Sequence, residues 1–400
     1  MPSPIPAAEP PGSLQRVLQH AWDANAFTTG EAVEGTGLTR STTIEALDRL
    51  VGLGLLHELE NAREAGQYRM GRPSRRFGFH AQAAAVVGVD AGRLRLTAAV
   101  ADLRGQVLTQ LSVTASAAED DPRSRRREIQ ELVDAVLDDA HLRRADVLSI
   151  CIGVPAAVGP AGVSPPHRLG FWQAMNPDLQ GLFAQWAPLV RVENDSSLAA
   201  VAEGSVGAAV GSQNFVALLA GERFGIGAVV DGGLLYGEHG AAGESIAVRL
   251  LTGIEDSAGL AALIAEWARA DVLAHRLPAG HSLVDAAPAE LTAPVVLDLA
   301  ASGDEWARAL AARAASALTR IGAFLASLYD PEWIIVSGAP SAGLGSVIAE
   351  ANRQLPDELH GPPPRIVASP LGEDVVVTGS IMRAVDAARQ GALRLALHGD

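Results

Sequence analysis

The chain has 400 residues, of which 48% are hydrophobic and 19% charged, which is enough apolar material for two or three globular units and excludes a disordered chain. Its 31 basic and 46 acidic residues leave a net charge of −15, so any contact with nucleic acid must come from a local basic surface. The single cysteine, Cys151, excludes disulfides within the chain and thiolate zinc sites. Because it stands in the apolar run Val147–Val154, we expect a buried, unreactive thiol.

No stretch of the sequence approaches the ~20 uninterrupted apolar residues that a membrane span needs. Residues 1–12 are rich in Pro and Ala and lack the basic start and apolar centre of a signal peptide. We therefore expect a disordered segment at 1–12, no membrane partner and a cytoplasmic location.

Residues 13–82 are predicted to form a winged helix-turn-helix. Thr28 and Glu31 have the spacing of a capping box that starts the second of three helices, and Gly37 is placed to end it. Thr39 is a suitable first cap for the third helix, which Gly52 closes before a strand at 55–59. A returning strand within 67–79 would complete a β-wing.

Residues 83–400 have the pattern of a large α/β domain. Three strand-like runs, a helix at 126–140 and the strand at 147–154 give the β-β-β-α-β order of the actin-like ATPase fold. A second copy of the pattern begins near Asn214, so the domain is predicted to be duplicated, with two lobes that divide near residue 197. Residues 255–329 are predicted to be mostly helical, and 380–397 to form a final helix.

The start of the third helix is the predicted DNA-reading element, because a recognition helix presents its first residues to base edges in the major groove. The candidate contacts are Thr39, Arg40, Ser41, Thr42 and Thr43. Arg40 suits either a guanine or a phosphate, and the sequence does not separate the two. An ordinary three-helix subdomain with a Ser/Thr cap is the alternative interpretation.

A basic segment at 69–76 carries four arginines in eight residues. Arginine flanked by Gly and Pro suits a narrow minor groove, so Arg72, Arg75 and Arg76 are further candidates for DNA contact. A solvated basic linker is the alternative. The arginines within 123–127 precede an acidic helix and are predicted to be a solvated surface run.

Five segments, in order, make the chain resemble the ROK family of repressors, open reading frames and sugar kinases. They are Ala85–Leu108, Ser149–Val158, Val190–Ala202, Phe224–Glu244 and Asp330–Gly338. A winged helix followed by Gly-Arg-Pro and Arg resembles the regulator branch of that family. The resemblance implies a winged helix-turn-helix followed by a duplicated actin-like, ribonuclease H-like sugar-kinase domain.

The resemblance also implies a sugar site. Asp195 has the position of the kinase base, and Asn194 and Glu244 match residues that bind sugar hydroxyls. His239 is at most a substitute ligand. An Asx turn that caps the helix at 196–203 is the alternative interpretation of Asn194 and Asp195.

Two departures from the family pattern concern metal and nucleotide. Ile246 and Ala247 replace a Gly-His pair, and the zinc cysteines are absent, so no metal of the family type is expected. On the nucleotide side, the first phosphate loop reads Asp-Ala-Gly-Arg-Leu at 90–94, the second reads Gly-Glu-Arg at 221–223, and Ala339 replaces a glycine. These changes remove a hydroxyl and add a carboxylate where phosphates would lie, which implies binding without phosphoryl transfer and no cofactor.

The sequence therefore predicts a DNA-binding regulator of carbohydrate metabolism, a repressor in the leading hypothesis and not an enzyme. Its expected partners are double-stranded operator DNA and a sugar or sugar-derived effector, and it is expected to be a homodimer or a dimer of dimers. Two alternatives are a ROK sugar kinase with an accessory DNA-binding domain and a DNA-binding regulator that does not sense sugars.

Overall fold

The computed structural model describes residues 12–398 except 61–74, 117–120, 245–247, 249, 253, 255–257 and 339–342. The first unit, the head, has three helices and a three-stranded sheet of order β1-β3-β2. Its elements are α1 (Gly12–Asp23), β1 (Phe27–Thr28), α2 (Thr29–Thr36), α3 (Arg40–Gly52), β2 (Leu56–Leu59) and β3 (Arg76–Phe79).

The predicted caps of the head are present. Thr28 and Glu31 form a reciprocal capping box at the start of α2, and Gly37 ends that helix with a φ of +66°. The Thr39 side chain accepts from the backbone N–H of Thr42 and starts α3. These local signals set the bounds of the helix-turn-helix. Strands β2 and β3 pair antiparallel, as the predicted wing requires, and residues 61–74 between them lie outside the described residues.

The first large sheet has the order β6-β5-β4-β7-β8. Its strands are β4 (Ala85–Ala91), β5 (Arg95–Asp102), β6 (Val107–Thr114), β7 (Val147–Val154) and β8 (Leu189–Asn194), with α4 (Pro122–Asp139), α5 (Phe171–Met175) and α6 (Leu179–Phe183) between them. Strands β4, β7 and β8 are parallel, so their carboxyl ends meet at one edge. The predicted strand order is confirmed, and Cys151 is fully buried in β7, where burial raises its pKa.

The second sheet has the order β11-β10-β9-β12-β13 and begins after α7 (Asp195–Val206). Its strands are β9 (Phe215–Ala220), β10 (Phe224–Val230), β11 (Gly233–Leu234), β12 (Trp333–Ser337) and β13 (Arg365–Ala368). The remaining helices are α8 (Leu260–Leu273), α9 (Ala293–Ala301), α10 (Glu305–Tyr329), α11 (Gly345–Gln354) and α12 (Val375–His398).

Helix α10 is the one helix among the described residues that is long and apolar enough to cross a membrane. Half of its most apolar window is buried inside the protein, where Leu310, Leu318 and Ile321 join the core of the second lobe. Its composition is therefore explained by packing against protein.

Helix α12 connects the parts of the molecule. It packs against α7, β4 and β7, and its buried residues share one continuous apolar core with those of the head. Arg389 of α12 pairs with Asp23 of α1 at 2.5 Å, and Arg104 donates to the carbonyl of Ala24 at 2.5 Å. These contacts join the head to the first lobe.

Candidate functional site

The start of α3 is exposed, as a recognition helix requires. Thr39, Arg40 and Ser41 are exposed and Thr42 is half-buried. The Thr39 hydroxyl lies 2.8 Å from that of Thr42 and 3.1 Å from that of Ser41. This turn presents a cluster of hydroxyls with one guanidinium beside it.

Thr43 corrects the prediction. Its side chain is fully buried, and its hydroxyl donates to the carbonyl of Thr39 at 2.9 Å. It belongs to the inner face of α3 with Ala46, Leu47 and Leu50. Thr43 therefore supports the head and does not face a base.

Ile44 is a surface residue that the sequence analysis missed. Its side chain is 36% exposed one turn into α3, next to the exposed Arg40 and Ser41. An exposed aliphatic side chain at this place suits contact with a thymine methyl group. The sequence contains a signal for this exposure, because Ile44 does not belong to the buried face formed by Thr43, Ala46, Leu47 and Leu50 of α3.

Arg75 also corrects the prediction of a basic wing. Its guanidinium forms a two-bond pair with Glu58 at 3.0 and 2.9 Å and a third bond with Asp48 at 2.7 Å. Those partners raise its pKa. Arg75, which directly precedes β3, therefore ties that strand to α3 and β2 inside the head, and its own guanidinium is not free for DNA in this arrangement. Arg76 lies in β3 opposite Thr28, and Arg72 lies outside the described residues.

Two predicted site carboxylates, Asp195 and Glu244, lie close to Asp90, and we call the region of these three residues the cleft. Asp90 is near the end of β4, and Asp195 is the first residue of α7, directly after β8. Because β4, β7 and β8 are parallel, both residues lie at the same edge of the sheet. Glu244 adds a third carboxylate close enough to influence Asp195.

The pKa values of the three carboxylates are raised. Burial raises the pKa of Asp195 to about 8, and the nearby Asp90 and Glu244 add to the rise. Burial likewise raises the pKa of Asp90 to about 7, against the opposing charge of Arg125. Burial also raises the pKa of Glu244. At neutral pH, Asp195 is therefore mostly protonated and is able to donate as well as accept a hydrogen bond.

Asn194 has a structural role that the alternative interpretation predicted. Its carbonyl accepts from the backbone N–H groups of Ser196 and Ser197, and its amide donates to the carbonyl of Ala156 at 3.1 Å. It thus caps α7 and fixes Asp195 at the cleft. His239 is exposed in the turn before Gly240.

The two altered phosphate loops contact each other. Arg93 of the first loop donates to the carboxylate of Glu222 in the second loop at 2.7 Å, across the cleft between the lobes. Next to this pair, the Arg223 guanidinium lies 5.8 Å from the centre of the Phe171 ring. We call this set, Arg93, Glu222, Arg223 and Phe171, the interlobe latch.

Arg125 was predicted to be part of a solvated surface run, and this is wrong. Its side chain is buried and donates to the carbonyls of Ala91, Gly92 and Met175. A run of charged residues in the sequence does not indicate that one of them binds three carbonyls from distant parts of the chain. Arg125 therefore fixes the backbone of the first phosphate loop.

The chain's own residues do not fit the family's zinc ion or nucleotide. Cys151 is buried in β7, and no three His, Cys, Asp or Glu side chains converge as metal ligands in the part of the chain that the structure describes. Glu222 places a carboxylate between the phosphate loops, where a nucleotide would add negative charge. The cleft residues suit a neutral polyol, because hydroxyl groups pair with partly protonated carboxyls.

These features define a two-lobed actin-like α/β protein that carries a winged helix-turn-helix head. A solved structure of a ROK family transcriptional regulator, a homologue of the E. coli MLC protein, superposes with a TM-score of 0.74 at 20% identity, covering 97% of this chain and 98% of that one. The Streptomyces griseus ROK glucokinase, solved with glucose and AMPPNP, gives 0.63 at 24% identity over 76% of this chain and 99% of its own. At these identities the two structures establish the fold, and they confirm the predicted architecture.

A ROK family domain is found at residues 86–249. The chain is 31% identical to the bifunctional enzyme NanE/NanK of Brucella suis over 220 residues, which are 52% of this chain and only 39% of that enzyme. It is 26% identical to a glucokinase of Halalkalibacterium halodurans over 310 residues, which are 73% of this chain and 92% of that enzyme. Both regulators and kinases are therefore among the proteins it resembles.

Proposed function

We propose that the chain is a transcriptional regulator that binds operator DNA through its head and a sugar or related effector in its cleft, without transferring phosphate. The observation that carries the proposal is the exposed start of α3, where Thr39, Arg40, Ser41 and Ile44 form a polar and aliphatic surface on a helix-turn-helix. Similarity to a ROK family transcriptional regulator over 97% of the chain supports it.

DNA contact in this proposal rests on few cations. Arg75 is held by two carboxylates, so Arg40 provides the guanidinium at the start of α3, with Arg76 and Arg72 as further candidates. Hydroxyls and backbone N–H groups at the start of α3 then position the helix against phosphates. The wing contacts remain a proposal, because residues 61–74 lie outside the described part.

Absence of phosphoryl transfer is supported by the interlobe latch. The Arg93 to Glu222 pair occupies the place between the two phosphate loops, and it brings the lobes together by protein contact. This contact suits a domain that binds its ligand and keeps it unchanged.

We further propose the assembly and boundaries that go with this function. The head spans 13–82, and the large domain spans 83–400 with its lobes divided near 197. A cytoplasmic homodimer, or a dimer of dimers, would place two heads on the two halves of an operator. Effector binding would change the distance or angle between the heads and thereby release DNA in a repressor.

The test is binding of the full chain to its own promoter DNA and to random DNA of equal length, across a range of salt concentrations. We expect a preference for the promoter, with affinity that falls as salt rises. Arg40→Ala should weaken promoter binding at least about fivefold, because a lost base contact costs about 1–3 kcal/mol. Arg353→Ala, which removes an exposed arginine of α11, is the matched control. Equal affinity for both DNAs would disprove the proposal.

A sugar kinase is the second candidate, and the retained Asp195 together with the glucokinase similarity favours it. It predicts phosphorylation of a hexose by magnesium ATP, abolished in Asp195→Asn. A product formed by the unaltered chain and not by the variant would establish this candidate against the first. The third possibility, a regulator that does not sense sugars, predicts promoter binding that no monosaccharide changes.

A further inference from the structure

A cavity whose lining differs from that of the cleft includes Glu193 and Asn194. It has a volume of about 770 Å³ and is bounded by β8, the loop at 158–162, the turn at 236–240 and one face of α12. Asp90, Asp195 and Glu244 do not line it. Its volume is in the range of about 300–1,000 Å³ that holds small organic ligands.

The floor of the cavity is a polar network in which Glu193 is buried and Tyr236 is 42% exposed. Glu193 of β8 has a side chain only 9% exposed, and Arg383 of α12 approaches its carboxylate to 3.4 Å. The Tyr236 hydroxyl accepts from Arg383 at 2.6 Å and donates to Glu193 at 3.4 Å. Because Arg383 neutralises Glu193, the floor offers oriented polar groups without excess negative charge.

The mouth of the cavity carries excess positive charge. Arg191 and Arg394 line it, and Glu193 is the one carboxylate among its lining residues. Arg191 reaches that carboxylate only at 4.0 Å, and Arg394 forms no ion pair within the described residues. In a chain of net charge −15, two arginines at a concave surface select for an anion.

The other groups that line the cavity would have no partner in a small inorganic anion. Val158, Leu189 and Ala387 give apolar walls, and the side chains of Gln180 and Gln390 offer amide groups. A ligand with a carbon skeleton, hydroxyls and one anionic group satisfies all of these. We propose that this cavity is a second binding site, for a polyhydroxylated small molecule that carries a phosphate or a carboxylate.

The position of the cavity on α12 gives it a route to the head. Arg383, Ala387, Gln390 and Arg394 lie on one face of α12, at a spacing of three or four residues. Arg389, on another face of the same helix, pairs with Asp23 of α1. A ligand that shifts α12 would therefore shift the contact with the head. This consequence rests on the proposed DNA-binding function, whereas the site itself does not.

The site is tested by thermal shift and calorimetry on the full chain, with glucose 6-phosphate, glucuronate, inorganic phosphate and glucose as probes. We expect glucose 6-phosphate or glucuronate to bind, and the difference between them identifies the anionic group. The double variant Arg191→Ala with Arg394→Ala should lose at least about tenfold in affinity for the charged probe. Arg353→Ala is the matched control and should keep the affinity, and so should Asp195→Asn, which alters only the cleft.

Three results would overturn the site: no binding of either charged sugar, binding unchanged in the double arginine variant, or binding lost in Asp195→Asn. No DNA is present in these measurements, so failure of the proposed regulator function would leave them standing. The coupling is tested separately with promoter DNA. The charged probe should change promoter affinity in the unaltered chain and lose that effect in Arg389→Ala, which retains the cavity; an unchanged affinity in the unaltered chain would disprove the coupling.

Discussion

The packing of α12 on α7 is close enough to give a sharp prediction at Gly379. A Cβ atom on this residue would lie 2.0 Å from the carbonyl oxygen of Leu198, well inside the 3.0 Å below which real Cβ contacts are not found. The obstacle is backbone in the first turn of α7, so it cannot move aside as a side chain would. Overpacking of this kind costs about 3 kcal/mol or more, and the better helix propensity of alanine returns about 1 kcal/mol.

Gly379→Ala should therefore lower the free energy of unfolding by about 2 kcal/mol, which corresponds to a fall in Tm of about 3 °C for a cooperative unit of roughly 300 residues. Differential scanning calorimetry or urea unfolding of the full chain measures it. Gly391→Ala is the matched control in the same helix, because there the new Cβ meets only the flexible end of the Leu189 side chain, at 2.7 Å. We expect its Tm to change by less than about 2 °C. Equal stability of the two variants would refute the inferred close contact between α12 and α7.

Three further predictions concern the cleft. Asp195 has a pKa of about 8 in the folded chain, so it keeps a proton there that it loses in the unfolded chain at its ordinary, lower pKa. The free energy of unfolding should therefore fall as pH rises from about 5 to about 8. In Asp195→Asn the fall in Tm over this range should be smaller by about 3 °C or more, and an equal fall would contradict the prediction. Magnesium ATP should leave the Tm of the unaltered chain unchanged in a thermal shift assay, and a clear rise in Tm would contradict the interlobe latch. A double-mutant cycle on Arg93 and Glu222 should give a coupling energy of about 0.2–1 kcal/mol, since both side chains are partly exposed. Arg125→Ala should lower the free energy of unfolding by about 3 kcal/mol or more in urea unfolding, because the carbonyls of Ala91, Gly92 and Met175, two of them buried, lose a charged donor. A loss below about 1 kcal/mol would contradict that role.

The sequence predicts those features that depend on neighbours in the chain. The capping box of Thr28 and Glu31, the αL residue Gly37 and the order of strands and helices all follow from local spacing and hydrophobic pattern. Thr43 was assigned to DNA by its residue type, although its spacing from Ala46 and Leu47 places it on the buried stripe of α3. The sequence therefore contained the signal for the burial of Thr43, and helical periodicity predicts its orientation better than its residue type does.

Residues whose roles depend on distant partners could not be predicted. Arg75 pairs with Glu58 and Asp48, 17 and 27 residues away, and a run of arginines gives no sign of it. Arg125 donates to carbonyls 33 to 50 residues away. The cavity beside α12 is built from five segments of the chain, and no local sequence pattern predicts that they meet.

The structure changes the interpretation of Arg93 and Glu222, because the two residues contact each other. Taken singly in the sequence, each is a defect in a phosphate loop, and two defects indicate only that the nucleotide site is lost. The structure places them 2.7 Å apart although 129 residues separate them, so the new carboxylate is the partner of the new cation. Two protein side chains therefore make a direct contact between the lobes. In the proposed regulator, this pair would allow the lobes to close on an effector alone, which is what a sensor without an enzymatic step requires.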